Sequence, residues 1–340
     1  MYTEKERILS ILSGEKADRI PLICSGGMMS MANIEAIEKT QCYLPEAHSD
    51  PKKMANLVMA MNKEAGFENL GVPFCMTVEA EAFGSEVDYG SSQIHPRVVK
   101  EAIQTIKDAG SLKKLNPQRQ NRMPVILDAI SYLREMNKEI PIIGNLVGPA
   151  SLAGMVLDPL LLFRLMRKDK ASVHQLLSFI TDNLIEFGKA QVERGVDIIA
   201  ISEPTGTGEI LGPEPFSEFV IPYVNRITGV LRSLGVKTIV HICGNIRAIL
   251  AQMLQLEADC ISVDAMVSIR TVKKHKKDLV LMGNVSTFLL EKGTPNRVTK
   301  TAKAVIKQGV DILAPACGLS PLTPTKNIRA LLNVVCANCV

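Results

Sequence analysis

The chain has 340 residues, 46% of them hydrophobic and 22% charged, enough to build and cover a large core with the composition of a soluble globular protein. Its 39 basic and 35 acidic side chains leave a net charge of +4, with 4% aromatics and no tryptophan. Neither a phosphate-tracking surface nor a base-stacking platform is expected, so nucleic acid is excluded as a partner. No window reaches the ~18 uninterrupted apolar residues of a membrane span, and the opening MYTEKERILSILSGEKADRIP lacks the apolar stretch of a secretory signal. A cytoplasmic protein without membrane contact is expected.

Ile8, Leu9 and Leu12 share one face of a first helix that Gly14 ends. The apolar run Ile20–Cys24 reads as a buried strand, and Gly26 and Gly27 open the loop after it. Asp50 as N-cap, Pro51 in the first turn and Gly66 as C-cap bound a second helix, with Met54, Leu57, Val58 and Met61 on its core side. Strand-length apolar runs then alternate with helical stretches. They are Glu68–Val72, Ile140–Leu146, Val196–Ser202, Lys237–Cys243, Asp259–Asp264, Asp278–Asn284 and Asp311–Ala316. With Ile20–Cys24 they make eight, rich in Ile, Val and Leu as strands buried on both faces must be. Long helical segments, notably Pro159–Arg194 and Pro215–Leu234, separate several of them. This pattern predicts an α/β fold, a (β/α)₈ TIM barrel with an N-terminal helical extension, forming one domain over residues 1–340. The looser alternation of Thr77–His95 reads as an inserted hairpin near the barrel mouth. The basic cluster Lys273, Lys274, His275, Lys276 and Lys277 reads as a solvated face.

Eight cysteines in a cytoplasmic chain are expected to be free thiols, including the terminal pair Cys336 and Cys339. Chemistry in such barrels lies at the C-terminal ends of the strands. There the sequence sets Ser202-Glu203, His241-Ile242-Cys243, Asp264, Gly283-Asn284 and Ala316-Cys317. His241 and Cys243 stand two apart on a strand and face the same way. Cys317 reaches the same rim. A buried His or Cys taken singly is more often packing than ligand. One imidazole and two thiolates at three barrel positions, however, form a soft set suited to Zn²⁺ with an open fourth place. Asp264 and then Glu203 are the candidates for that place and the catalytic carboxylates of the site. A metal held by two cysteines suits activation of a thiol, because a coordinated thiol is deprotonated and the thiolate is the nucleophile. Zinc hydrolysis is the competing use, and it needs a general base near the bound water.

The chain resembles the uroporphyrinogen decarboxylase superfamily and, within it, the methylcobamide:coenzyme M methyltransferases. The resemblance runs from about Glu4 to Asn333 and rests on ERILSILSGEKADRIP, IIGNLVGPASLAG, ISEPTGTGEILGPEPFSEFVIPY, ADCISVD, MGNVST and, most specifically, VHICGN and DILAPACGLSPLTPTKNIRAL. It implies zinc on His241, Cys243 and Cys317 and a methylcobamide donor carried by a small corrinoid protein. The implied acceptor is a thiol such as coenzyme M, activated by the zinc. Met28 and Met31 would offer an apolar face to the corrinoid, and Asn284 would join them in binding substrate. Porphyrinogen decarboxylases carry arginines for substrate carboxylates in the stretch that reads IPLICSGGMMSMAN here, which has none. A decarboxylase or a zinc hydrolase on the same barrel is the alternative. A corrinoid carrier is disfavoured because no Asp-x-His-x-x-Gly motif occurs.

Overall fold

Strands β1 (Leu70–Val72), β2 (Glu86–Asp88), β3 (Arg97–Lys100), β4 (Ile142–Val147), β5 (Ile198–Ser202), β6 (Lys237–Ile242), β7 (Cys260–Val263), β8 (Leu281–Val285) and β9 (Ile312–Pro315) carry the architecture of a computed structural model that describes residues 2–337. Seven of them form one parallel sheet in the order β1-β4-β5-β6-β7-β8-β9, wrapped by helices. Parallel strands covered by helices need apolar residues on both faces, and β4, β5, β7, β8 and β9 are buried along their whole lengths.

The eighth barrel position belongs to the Ile20–Cys24 run. Ile23 donates to Leu313 O and Leu313 to Pro21 O on one side, at 3.1 and 2.9 Å; on the other, Glu68 N donates to Leu22 O at 2.8 Å. The sheet thus closes into the expected (β/α)₈ barrel. The run forms only a single regular bridge, Leu22 with Leu313, for a physical reason. Pro21 has no N–H to give. Beyond it the Asn69 side chain takes over the ladder: Cys24 N donates to its Oδ1 at 2.9 Å and its Nδ2 donates to Cys24 O at 2.7 Å.

The N-terminal helix Glu4–Leu12 starts with a Thr3–Glu6 capping box and buries Ile8 and Leu12 as its spacing requires. The helix Pro51–Ala60 is capped by Asp50, whose carboxylate accepts from Lys52 N and Lys53 N. It continues as one wide turn to Gly66, whose φ of +86° only glycine adopts without strain. The long segment expected over Pro159–Arg194 is two helices, Pro159–Lys168 and Lys170–Glu193, because Asp169 caps the second through Ser172 N. The hairpin also differs from expectation. β2 and β3 pair antiparallel over Glu86–Lys100, and Val78–Phe83 before them is a helix burying Val78, Ala80, Ala82 and Phe83. Gly84, at φ +107°, ends that helix. The connection still reaches the mouth, where His95 Nε2 lies 3.3 Å from Leu319 O.

At the N-terminal ends of the strands one arrangement recurs. Glu68, Asp197, Asp259 and Asp311 each accept an N–H near the start of the preceding barrel element, from Leu22, Ile142, Thr238 and Leu281, at 2.7–2.9 Å. Cations neutralise each carboxylate: Arg7 and Arg19, Lys5 and Arg134, Arg232 and Lys237, and Lys273 respectively. Lys273 is therefore tied down, whereas Lys274, His275, Lys276 and Lys277 are exposed as expected. Cys336 is exposed and free; its companion Cys339 lies outside the described residues. Among the described residues no single helix is long and apolar enough to cross a membrane.

Candidate metal centre

His241 is the residue before the last of β6, Cys243 stands just past that strand's end, and Cys317 follows β9. Barrel closure brings these three together. His241 Nε2 lies 3.0 Å from Cys243 Sγ, Cys243 Sγ lies 3.1 Å from Cys317 Sγ, and the three donor atoms all fall within 4.8 Å of one another. His241 is buried and the two cysteines are half-buried, so the set is walled by protein on one side and open toward the mouth. His241 stands in register with Ser262 on β7, and its Nδ1 meets Ser262 Oγ at 2.9 Å. With the proton on Nδ1, that bond leaves the Nε2 lone pair aimed at the sulfurs.

The two thiols share their protons. The Cys243 S–H bonds to Cys317, and together with His241 it pulls the Cys317 thiol well below its ordinary value despite burial. Cys243 is pushed far up by the same hydrogen bond, by burial and by the negative charges of Cys317 and Asp264. The pair therefore gives up one proton readily and holds the second, which a bound cation would displace. One imidazole nitrogen and two sulfurs converging on one point are a donor set that fits a soft divalent metal with a vacant coordination place.

The carboxylates occupy different stations. Asp264 is half-buried in the loop after β7, close enough to act on Cys243, and its Oδ1 accepts from Met266 N at 3.1 Å. It stands apart from the three-atom donor group. Glu203 is fully buried and does not belong to the three-atom donor group. Its carboxylate accepts from Ala150 N and Ser151 N, at 2.9 and 2.8 Å, and from the Ser151 hydroxyl, which caps the helix Pro149–Val156 from a neighbouring strand. Burial pushes its pKa up to about 7 against those bonds. Gly148 makes this possible, since a Cβ there would come within 2.4 Å of Glu203 Oε2.

Asn284, 6% exposed, spends its Nδ2 on Asp264 O and Val267 O, both at 2.8 Å, and so holds the loop that carries Asp264. Met28 is half-buried, with its sulfur 3.8 Å from Cys243 Sγ. Met31 is fully buried under the loop, its sulfur 3.3 Å from Gly71 N, and does not reach the mouth wall. Beside Met28 the mouth narrows to a small cavity rather than the broad concavity a bulky donor suggests. Sequence reasoning passed over Ser262 and Ser151. A lone serine inside the buried strand ISV was the available sign for the first; nothing local marked the second.

Barrel and donor set together define a (β/α)₈ protein with a candidate His–Cys–Cys metal centre on the C-terminal rim of its strands. The sequence matches the uroporphyrinogen decarboxylase (URO-D) family over residues 3–337, and the chain belongs to that family. Two relatives are named methylcobamide:CoM methyltransferase: MtbA of Methanosarcina acetivorans at 36% identity and MtaA of Methanosarcina barkeri at 32%, each alignment covering 97% of both chains. A solved structure described as a methyltransferase from Methanosarcina mazei superposes with a TM-score of 0.93 at 30% identity, over 99% of both chains.

Proposed function

We propose that this chain is a methyltransferase that moves a methyl group from a methylated corrinoid, carried by a small partner protein, to a thiol such as coenzyme M, with zinc held by His241, Cys243 and Cys317. The observation that carries the reading is the convergence of one imidazole and two thiols at the open rim. When bound there, zinc supplies the positive charge that keeps an incoming thiol ionised, hence nucleophilic. Ser262 fixes the His241 ring. Asp264, steadied by Asn284, supplies the negative charge nearest Cys243 on the solvent side and is the candidate for the fourth place when no thiol is bound. Met28 offers a soft, apolar surface beside Cys243 on which a corrinoid face can rest. The segments beyond the strand ends expose Ile94, Ile210, Met266, Leu322 and, at the start of the helix Thr287–Lys292, Phe288. An apolar rim of this kind suits a transient protein partner that delivers the corrinoid.

The alternatives find less support. The residues lining the cavity at Met28 include no arginine or lysine to meet substrate carboxylates, as a decarboxylase of polyacids needs. Glu203 is committed to a helix end, which removes it as a hydrolytic base.

The test is metal analysis of the purified chain, with zinc absorption-edge spectra taken before and after adding coenzyme M, and turnover with free methylcobalamin. Stoichiometric zinc that gains a sulfur neighbour on thiol addition, lost in Cys317→Ala, is expected. Zinc indifferent to thiols, or full turnover by Cys317→Ala, sinks the proposal.

A further inference from the structure

A second thiol is built into the barrel mouth apart from the metal-binding set. Cys75 lies in the loop after β1 with 5% of its surface accessible. Its sulfur is 3.4 Å from Arg122 Nη1 and accepts from Thr77 Oγ1 at 3.5 Å. Arg122 is itself fixed: Nη2 donates to Thr77 Oγ1 at 2.8 Å, Nε donates to Glu81 at 2.5 Å, and the guanidinium lies over the Tyr89 ring. The fully buried ring of His48 also faces the sulfur, and its nitrogens reach no other polar group. Burial pushes the Cys75 thiol up, but the Arg122 charge and then His48 and Thr77 outweigh it and bring the pKa down to about 5. Cys24, buried without such company, is pushed up to about 12.

The same residue lines the small cavity with Gly27, Met28, Glu79, Asn145 and Ser202. The space admits about one water-sized guest. Ser202 Oγ and Asn145 Oδ1 are more than nine-tenths buried and have no hydrogen-bond partner among the described residues. Unpaired polar atoms around a void of that size call for a small polar molecule. Glu79 accepts from Val147 N at 2.9 Å; burial above all, and the Cys75 charge, raise its carboxyl to about 7, so it can give up a proton near neutrality. His95 also faces the sulfur, and burial lowers its pKa.

We propose that Cys75 is a redox-modification site whose oxidant is hydrogen peroxide, admitted to the cavity beside Met28 and reduced there by the Cys75 sulfur. The thiolate attacks one peroxide oxygen. An S–O bond forms as the O–O bond breaks, and the two electrons lost by sulfur leave with the second oxygen as hydroxide, while the transferred oxygen keeps its hydrogen as a sulfenic acid. Glu79 supplies the proton that turns hydroxide into water, and Arg122 hydrogen-bonds the sulfenic oxygen. The added oxygen fills the space under Met28, whose sulfur touches Cys243, so oxidation reaches the metal-binding pocket without consuming a ligand. None of this depends on which reaction the metal centre performs.

The experiment uses the zinc-loaded full-length chain carrying Cys336→Ser and Cys339→Ser, treated with hydrogen peroxide and mapped by peptide mass. Cys75 gains one oxygen before any other cysteine, with metal content unchanged. Its rate rises by no more than about twofold between about pH 6.5 and 8.5, where an ordinary thiol gains about tenfold per unit as its thiolate forms. His48→Phe slows the reaction at the lower pH. First oxidation at Cys24, Cys243 or Cys317, or a Cys75 rate that climbs tenfold per pH unit, overturns the proposal.

Discussion

On β7, Ser262 stands level with His241 and takes up Nδ1 at 2.9 Å, so a residue outside the donor set decides which nitrogen faces the sulfurs. Removing such an outer partner costs 10–100-fold in metal affinity as a rule. Ser262→Ala should therefore weaken zinc by that factor while melting stays near wild type, and competition with a chelator of known affinity reads it directly; unchanged affinity would mean the ring needs no such anchor. Glu203 poses a proton question. Its folded pKa of about 7 lies above the ordinary carboxyl value of 4.5, so the folded state holds a proton that the unfolded state has lost between those limits. The contribution of this carboxyl is thus complete below about pH 4.5 and fades as pH climbs through 7, by roughly 3 kcal/mol over the interval. Glu203→Gln lacks that slope. Urea midpoints at low and high pH should show the gap between wild type and variant shrinking as pH rises; a gap that widens means the carboxyl is ionised throughout.

At the scale of elements, the strand ends were readable because the side chains of His241 and Cys243 must share a face and because Cys317 ends the last apolar run. The Cys75 site was not. Cys75 and Arg122 are separated by a helix and the hairpin, neither lies in a periodic run, and their meeting depends on how those irregular segments fold back. Met31 departs from its expected place for a related reason: the alternation of a loop says nothing about which of its methionines turns inward, and this one is buried with its sulfur 3.3 Å from Gly71 N. Asn284 shows the same limit in milder form, being at the rim as expected but pledged to the next loop rather than to the opening. Asn284→Ala removes two hydrogen bonds to carbonyls at 2.8 Å and leaves those acceptors unpaired, at a cost of about 1–3 kcal/mol. The variant should keep zinc yet bind a thiol more weakly, because the Asp264 loop is released. Equal thiol affinity in wild type and variant would show that the loop position does not matter to the site.

For the whole molecule, the barrel separates stability from chemistry along its axis. The donor set and Cys75 crowd the C-terminal rim, while Glu68, Asp197, Asp259 and Asp311 stitch neighbouring strands at the other end, each under a cation. In the sequence these four read only as single acids at strand starts; that each reaches the preceding element appears once the strands are laid side by side. Glu68 does most. It is 2% exposed, receives Arg7 and Arg19 at 2.7 Å, accepts from Leu22 N at 2.7 Å, and its own N–H binds Leu22 O. It thus joins the N-terminal helix to the run that closes the barrel. Truncating one member of a buried ion pair leaves its partners charged and unsolvated, which costs about 3–5 kcal/mol. Glu68→Ala should lose stability on that scale, seen as a lower urea midpoint, and hydrogen exchange should quicken first at Leu22 and Ile23. Below its unfolding transition it should still bind one equivalent of zinc as tightly as wild type, since the damage lies at the far end of the strands. Weakened zinc in a fully folded Glu68→Ala protein would show that closure of the barrel, and not the rim alone, sets the spacing of His241, Cys243 and Cys317.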